Sequence, residues 1–191
     1  MQIGKSICGS AVTAICYAGD NLMVHAAIEV CKPGDILVIT TIGESASGMI
    51  GELIVEALRK RKVLGVIIDA GIRDSAKIRE LNFPVWSKAI FAEGTSKYKG
   101  GWVNAPAICG GIEVNPGDIV LADDDGVVVV EKDNLNNTIK SSKQRMNKEE
   151  YTKNRIENGE LSLDFYKLRE VLEQNGVIYY KDSEDRKKLK E

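Results

Sequence analysis

The stretch Gly65-Val66-Ile67-Ile68-Asp69-Ala70-Gly71-Ile72-Arg73-Asp74 is the most informative part of this 191-residue chain. Its Val-Ile run is typical of a strand buried on both faces, and a short helical pattern follows over 75–81. In open α/β folds, ligands collect beyond the carboxyl ends of the strands. There Arg73 offers a two-pronged donor to a carboxylate, and Asp74 offers a hard oxygen ligand to Mg²⁺ or Mn²⁺. Alternatively, Asp74 caps the following helix and Arg73 pairs with an acid at the surface.

Further strands are predicted on both sides of this stretch, and turn residues bound most of them. Lys32-Pro33-Gly34-Asp35 and Asn115-Pro116-Gly117-Asp118 suit type II turns that lead into strands. Asp123-Asp124-Asp125-Gly126 predicts a hairpin turn, and its carboxylates could instead bind a cation. The Val-Ile-rich strand-like runs are 11–17, 36–41, 63–69, 84–90, 108–114, 119–122 and 127–131.

Helical patterns divide the chain into a body and an appendage. An amphipathic helix is predicted over 49–62, with an apolar face formed by Ile50, Leu53, Ile54, Ala57 and Leu58. Beyond Asp133 the pattern is helical to about 174, with a break near 158–159. We therefore expect an α/β core over 1–131, a helical appendage over 132–180 and a frayed, highly charged tail over 181–191.

The loop before the 49–62 helix is a candidate anion site. Ser47, Gly48 and Gly51 keep the backbone open there. Free amides at a helix start, together with the positive end of the helix dipole, hold a carboxylate or phosphate. The alternative is that these small residues only relieve packing.

Composition excludes several classes of function. The 26 basic and 28 acidic side chains give a net charge of −2, which does not favour a general nucleic-acid or anionic-membrane binder. No apolar run reaches the length of a membrane span, and no export signal is recognisable. Four cysteines without zinc spacing predict small buried residues in the reducing cytoplasm. The single histidine, His25, is expected on a helix in a structural or partner-facing role. Nucleotide-binding glycine motifs are absent from the sequence.

Several separate segments together resemble one known family. They are 65–74, Phe83-Pro84-Val85-Trp86-Ser87-Lys88-Ala89-Ile90, Cys109-Gly110-Gly111, 116–127 and 159–164. The chain resembles, over about 9–176, the 4-hydroxy-4-methyl-2-oxoglutarate / 4-carboxy-4-hydroxy-2-oxoadipate aldolases, which share their fold with regulators of ribonuclease E activity. The resemblance implies a single swivelling β/β/α-type domain with a C-terminal helical appendage on a neighbouring subunit. It also implies a homotrimer or dimer of trimers with active sites between subunits.

The same resemblance implies a divalent-metal aldolase that cleaves a 4-hydroxy-2-oxo acid, releases pyruvate and also decarboxylates oxaloacetate. Asp74 would ligate Mg²⁺ or Mn²⁺ directly, and Arg73 would hold the substrate's C2 oxygen and carboxylate. Glu52 would orient metal-bound water, and Glu149 of a neighbouring subunit would act through water as well. The remaining expected substrate contacts are the backbone amides of Gly51, Leu53 and Ile54. Lys88 and Lys97 are candidates for a distal carboxylate of the substrate.

Two departures from the family pattern bear on function. Relatives commonly carry an acid three positions after the motif aspartate, where this chain has Lys77, which reverses a charge beside the metal site. They also usually have a helical N-terminal segment ahead of the strand that here begins near Ser10. The competing function is a non-catalytic, protein-binding regulator of the ribonuclease E inhibitor type, whose branch tends to lack the metal aspartate. Methyltransfer has also been assigned to proteins of this fold, but this sequence contains no glycine loop for a nucleotide cofactor.

Overall fold

A computed structural model describes residues 4–180 of the chain and contains a large mixed sheet and a C-terminal series of helices. The strands are β1 (Ile7–Tyr17), β2 (Asp35–Ile42), β3 (Gly48–Ile50), β4 (Gly65–Ile72), β5 (Val85–Ile90), β6 (Trp102–Val103), β7 (Ala107–Cys109), β8 (Ile112–Val114), β9 (Ile119–Ala122) and β10 (Val127–Val130). The helices are α1 (Leu22–Val30), α2 (Glu52–Lys60), α3 (Ser75–Glu80), α4 (Leu135–Glu157), α5 (Ser162–Phe165) and α6 (Arg169–Gln174), with a 3₁₀ turn at Lys132–Asn134.

The main sheet is parallel on one side and antiparallel on the other. β1, β2, β4 and β5 run parallel, and β3 continues along the edge of β4 beyond the end of β2. β9 and β10 extend the other side as an antiparallel pair next to β1. The carboxyl ends of β3 and β4 therefore lie side by side, which brings Gly51 and Arg73 together.

Alternation along the central strands divides the core between the two faces of the sheet. Leu37 and Ile39 of β2 pack in a large cluster with side chains of α1, α2 and α3. Ile36 and Val38, the alternate residues, pack in a second cluster with residues of β8 and β9. The resulting layers are helices, sheet and β-hairpins, which confirms the predicted β/β/α arrangement.

The predicted turns are confirmed. In both Pro-Gly turns the glycine has a positive φ, 92° at Gly34 and 90° at Gly117. In both, the following aspartate amide donates back across the turn, Asp35 to Lys32 O at 3.1 Å and Asp118 to Asn115 O at 3.0 Å. The Asp123–Gly126 segment closes the β9–β10 hairpin, as predicted.

Three sequence predictions were wrong in part. The run 108–114 is not one strand, because Gly110 and Gly111, with φ of 58° and 81°, turn the chain between β7 and β8. The helix predicted from Met49 begins at Glu52, since the preceding residues pair with β4 as β3. Ile50 is therefore a strand residue. Cys16 and Cys31 are buried as expected, but Cys8, near the start of β1, is exposed and Cys109 is only partly buried.

The chain divides into two compact units, Met1–Thr138 and Ile139–Glu191. The division falls inside α4, a few residues beyond the boundary expected from composition. In the second unit, the predicted helices and the break at Gly159, which has φ of 82°, are confirmed. The predicted tail over 181–191 lies outside the described residues. Among residues 4–180, the longer helices lack the apolar content needed to cross a bilayer.

Candidate active site

The candidate site lies where β3 and β4 end side by side. The backbone amide of Arg73 donates to Ile50 O at 2.9 Å, which fixes the end of β4 against the end of β3. Directly after Ile50, Gly51 occupies the N-cap of α2. The loop after β4 and the first turn of α2 therefore lie close together.

The carboxylate of Asp74 is turned toward α2 and away from its own helix. Asp74 occupies the N-cap position of α3 but makes no side-chain cap hydrogen bond there. Its Oδ2 instead accepts the backbone N–H of Glu52 at 3.1 Å. Asp74 also has φ of 55°, an uncommon conformation for a residue with a Cβ. The helix-capping interpretation of Asp74 is therefore wrong.

The guanidinium of Arg73 is fixed by the backbone of β3. Its Nη1 donates to the carbonyl of Gly48 at 2.7 Å, and its Nε lies 3.8 Å from Asp74 Oδ2. Its side chain is about one-third exposed. Within residues 4–180, the ion pair of Arg73 is with Asp74 at the site, which does not support a surface pair elsewhere.

The start of α2 has backbone amides that make no hydrogen bond inside the helix. The first intrahelical bond runs from the Val55 amide to Gly51 O, which leaves the amides of Leu53 and Ile54 without acceptors inside the helix. Asp74 already occupies the Glu52 amide. The Leu53 side chain is 83% exposed and that of Ile54 is buried, so one projects outward and the other anchors the helix. The amides of Leu53 and Ile54 are thus the donors that the start of α2, the amide cradle, can offer to an external carboxylate.

Gly51 is required by the approach of Asp74. A Cβ at this position would lie 2.3 Å from Asp74 Oδ2 and 3.1 Å from Arg73 Cγ. The sequence suggested an open backbone here, and the structure shows which atoms fill the space.

The oxygen donors present fit a Mg²⁺ or Mn²⁺ ion. The Asp74 carboxylate, on a side chain that is 44% exposed, lies at the start of α2, whose first residue is Glu52. No group of three or more acids, histidines or cysteines arranged for a metal occurs within residues 4–180. Magnesium commonly uses one or two protein carboxylates and keeps several waters. The donor set of a single chain is of that sparse kind.

Lys77 adds a positive charge on α3. Its Nζ lies 2.8 Å from Glu80 Oε2. The hydrogen bond and charge of Glu80 raise the pKa of Lys77, and the charge of Glu52 adds a smaller effect in the same direction. Lys77 is thus electrostatically coupled to the Glu52 carboxylate.

Glu149 lies on α4 in the second unit. There its Oε1 accepts a hydrogen bond from Arg145 Nε at 2.7 Å, one helical turn away. Its assignment to a neighbouring subunit's site remains a prediction.

Sequence reasoning did not identify Asn21 as a site residue. Asn21 is 1% exposed, and its Nδ2 donates to Met49 O in β3 at 2.8 Å. Its Oδ1 is buried without a hydrogen-bond partner among the described residues. The signal available in the sequence was an amide side chain next to Asp20, directly before the apolar residues of α1.

The lysines suggested for a distal carboxylate lie in different places. Lys88 Nζ is 3.6 Å from Asp69 Oδ1 on the neighbouring strand β4. Lys97 lies close enough to His25 on α1 to affect its pKa, which burial lowers first and the charge of Lys97 lowers further. His25 lies within α1, which confirms that it is helical.

A well-formed cavity lies on the other face of the sheet. It has a volume of about 330 Å³, a mainly aliphatic lining, and Asp69 and Lys88 among its polar groups. Gly51, Arg73 and Asp74 do not line it. We place the chemistry at the cradle despite this cavity, because the cradle combines a carboxylate, a guanidinium and a helix start.

The sheet-edge site places a carboxylate, a guanidinium and a helix start together in an α/β protein. The chain belongs to the RraA-like family, described as Aldolase/RraA, whose pattern it matches over residues 1–129. The family resemblance inferred from sequence is confirmed.

Individual relatives carry names of different functions. A protein of Halalkalibacterium halodurans, named "Putative 4-hydroxy-4-methyl-2-oxoglutarate aldolase", is 29% identical over 84% of this chain and 76% of its own length. The crystal structure of Streptomyces coelicolor RraAS2, titled an unusual member of the RNase ES inhibitor RraA protein family, has a TM-score of 0.73 and 28% identity, covering 81% of each chain. A Geobacillus kaustophilus structure titled as an S-adenosylmethionine:2-dimethylmenaquinone methyltransferase is 33% identical, with a TM-score of 0.64, over 70% of this chain and 83% of its own.

Proposed function

We propose that this protein is a divalent-metal-dependent aldolase that cleaves a 4-hydroxy-2-oxo acid and releases pyruvate. The observation that carries the proposal is the pairing of Asp74 and Arg73 at the start of α2. The family and the names of several relatives support aldolase chemistry.

The substrate's 2-oxo acid end fits the cradle. Its carboxylate accepts hydrogen bonds from the amides of Leu53 and Ile54, strengthened by the positive end of the α2 dipole. The guanidinium of Arg73, held on Gly48 O, donates to the C2 oxygen. Asp74, with Glu52 nearby, would hold Mg²⁺ or Mn²⁺, and the positive charge of the ion would polarise the 2-oxo group.

Bond cleavage places negative charge where these groups are already fixed. As the C3–C4 bond breaks, the 4-hydroxyl gives its proton to a water held by Glu52 and becomes the carbonyl of the second product. The bonding pair moves toward C3 and the C2 oxygen, where Arg73 stabilises it without reorganisation. Glu52 then relays a proton to C3, which completes pyruvate. Oxaloacetate, which yields the same enolate on loss of CO₂, is the second proposed substrate.

A homotrimer or dimer of trimers would complete this site. The cradle is open in one chain, and we propose that Glu149 of a neighbouring subunit supplies a further carboxylate to it. Analytical ultracentrifugation tests the assembly, and complementation between Glu149→Gln and Asp74→Asn chains tests the sharing of residues. Mixed oligomers regain activity only if the two residues come from different chains.

The decisive experiment is a pyruvate-release assay on a panel of 4-hydroxy-2-oxo acids and oxaloacetate, with and without Mg²⁺ or Mn²⁺. We expect metal-dependent release that Asp74→Ala abolishes while leaving the circular dichroism spectrum unchanged. We expect Arg73→Ala to lower kcat/KM by about 100- to 1000-fold, as for removal of an oxyanion partner. Full turnover in excess chelator, or an Arg73→Ala variant with unchanged kcat/KM, would refute the mechanism.

A non-catalytic regulator is the competing proposal, favoured by the likeness to Streptomyces coelicolor RraAS2. The aldolase and regulator proposals predict different effects of the Asp74→Ala substitution. A regulator would release no pyruvate from the panel and would inhibit an RNase E-type enzyme equally well with or without the Asp74 carboxylate.

A further inference from the structure

A buried carboxylate at the end of β1 fastens a segment that leads to the site. Asp20 is 1% exposed, and its Oδ2 accepts hydrogen bonds from Ser96 Oγ and from the backbone amides of Tyr98 at 2.7 Å and Lys99 at 3.2 Å. Its Oδ1 accepts the Leu22 amide at 3.0 Å. One carboxylate therefore ties residues 96–99 to the junction between β1 and α1.

The ionised form of this carboxylate is the one that its surroundings favour. Burial raises the pKa of Asp20, but the hydrogen bonds from Ser96, Tyr98, Leu22 and Lys99 outweigh burial and hold the pKa well below its usual range. Three of the donors converge on one oxygen. An amide in place of the carboxylate offers a single acceptor oxygen, so some of these donors would lose their partner.

The other end of the fastened segment rests on the site. Glu93 O accepts the Gly48 amide at 2.8 Å, and Ser47 Oγ donates to Glu93 Oε2 at 3.0 Å. Gly48 O in turn holds the guanidinium of Arg73. A Cβ at Gly48 would lie 2.6 Å from Phe91 O and 2.9 Å from Arg73 Cβ. The 91–96 segment therefore packs against Gly48 too closely to leave space for a side chain.

We propose that Asp20 is a positioning residue for Arg73. By fastening residues 96–99, it holds the 91–96 segment against Gly48, and Gly48 O fixes the guanidinium over the cradle. The part of this inference that concerns catalysis rests on the proposed aldolase function. The structural part, that Asp20 keeps Gly48 and Arg73 fixed in place, does not depend on that function.

Asp20→Asn is the test, and Asp118→Asn is its matched control. Asp118 is 4% exposed and accepts two backbone amides, from Asn115 at 2.8 Å and Lys132 at 3.0 Å, in the turn before β9. Both variants replace a buried, hydrogen-bonded carboxylate, but only Asp20 joins the segment that contacts Gly48. We therefore expect both variants to lower Tm, and Asp20→Asn to lower it more, since Asp20 accepts four hydrogen bonds and Asp118 two.

We expect Asp20→Asn to speed hydrogen exchange at residues 93–99 and at the Gly48 amide. It should lower kcat/KM for pyruvate release by about 10- to 100-fold, the scale of a displacement near 1 Å at a reacting group. The Kd for Mn²⁺ alone should stay within about twofold, since the metal carboxylates are untouched. Asp118→Asn should leave the Gly48 exchange rate unchanged and kcat/KM within about twofold.

Ser96 gives a milder version of the same test. Ser96→Ala removes one donor to Asp20 and should produce a smaller fall in kcat/KM, whereas Ser96→Thr keeps the hydroxyl and should restore it. These variants decide the question if Asp20→Asn does not fold.

Equal kcat/KM values for Asp20→Asn and Asp118→Asn would overturn the proposal. If the native protein releases no pyruvate, the aldolase proposal fails by itself. The positioning proposal is then judged by NMR of the Arg73 guanidinium protons, whose exchange Asp20→Asn should speed. Unchanged exchange of the Arg73 and Gly48 protons in Asp20→Asn would refute it.

Discussion

Replacing Gly51 by alanine places one methyl group against the carboxylate of Asp74. The new Cβ would lie 2.3 Å from Asp74 Oδ2, whereas ordinary contacts begin near 3.4 Å. Gly51 has φ of −145° and ψ of −165°, an extended conformation that alanine also adopts. The effect is therefore a collision with the site and not backbone strain.

The carboxylate has to retreat by about 1 Å, which breaks the Glu52 N–H···Asp74 hydrogen bond. A misplacement of this size costs about 100-fold in rate. Asp74 is half exposed and can move into solvent, so the free energy of unfolding should change by less than about 1 kcal/mol. We expect kcat/KM to fall about 100-fold at saturating Mn²⁺ with little change in Tm.

The assay couples pyruvate release to lactate dehydrogenase and follows NADH absorbance. Gly100→Ala is the matched control, because a Cβ there meets nothing within 4 Å. We expect the control to keep native activity. A Gly51→Ala variant as active as Gly100→Ala would contradict the close approach of Asp74 to α2 as a requirement of catalysis.

Three other predictions follow from the same structure. Lys77→Gln should tighten Mn²⁺ binding, measured calorimetrically, by about two- to fivefold, since it removes a positive charge coupled to Glu52; weaker binding would contradict this. Cys8 should react rapidly with a thiol reagent at pH 8 in the folded protein, whereas Cys16, whose pKa burial raises to about 12, should react only after unfolding. A Cys8→Ser variant that still reacts rapidly would contradict the assignment of the fast reaction to Cys8. The Tm difference between native protein and Asp20→Asn should be full above about pH 4 and shrink as pH falls further, because the folded-state pKa of Asp20 is lowered and its stabilisation is lost on protonation. A pH-independent difference would show that the ionised carboxylate is not what stabilises the fold.

The turns and most of the regular elements could be predicted because their causes are local. Pro-Gly and Asp-Gly pairs specify turns by their own backbone preferences, and Gly34 and Gly126 have the positive φ expected. The 108–114 run was misread as one strand because its apolar residues continue across the glycines. Gly110 and Gly111 carry the turn signal, and the hairpin uses both.

The sequence by itself determined the strand that precedes Arg73 and Asp74, the small residues at the start of α2, and the fold class. Only the tertiary structure decided that Asp74 turns to the Glu52 amide, 22 positions away in sequence, and not to its own helix. It also decided that Asp20 holds Ser96, 76 positions away. The physical reason is that a carboxylate takes the best set of donors within reach, and strand pairing across the sheet sets which donors those are. Propensity and periodicity describe residues that are close in sequence, whereas this site is made of residues that are far apart in sequence and that the fold brings together.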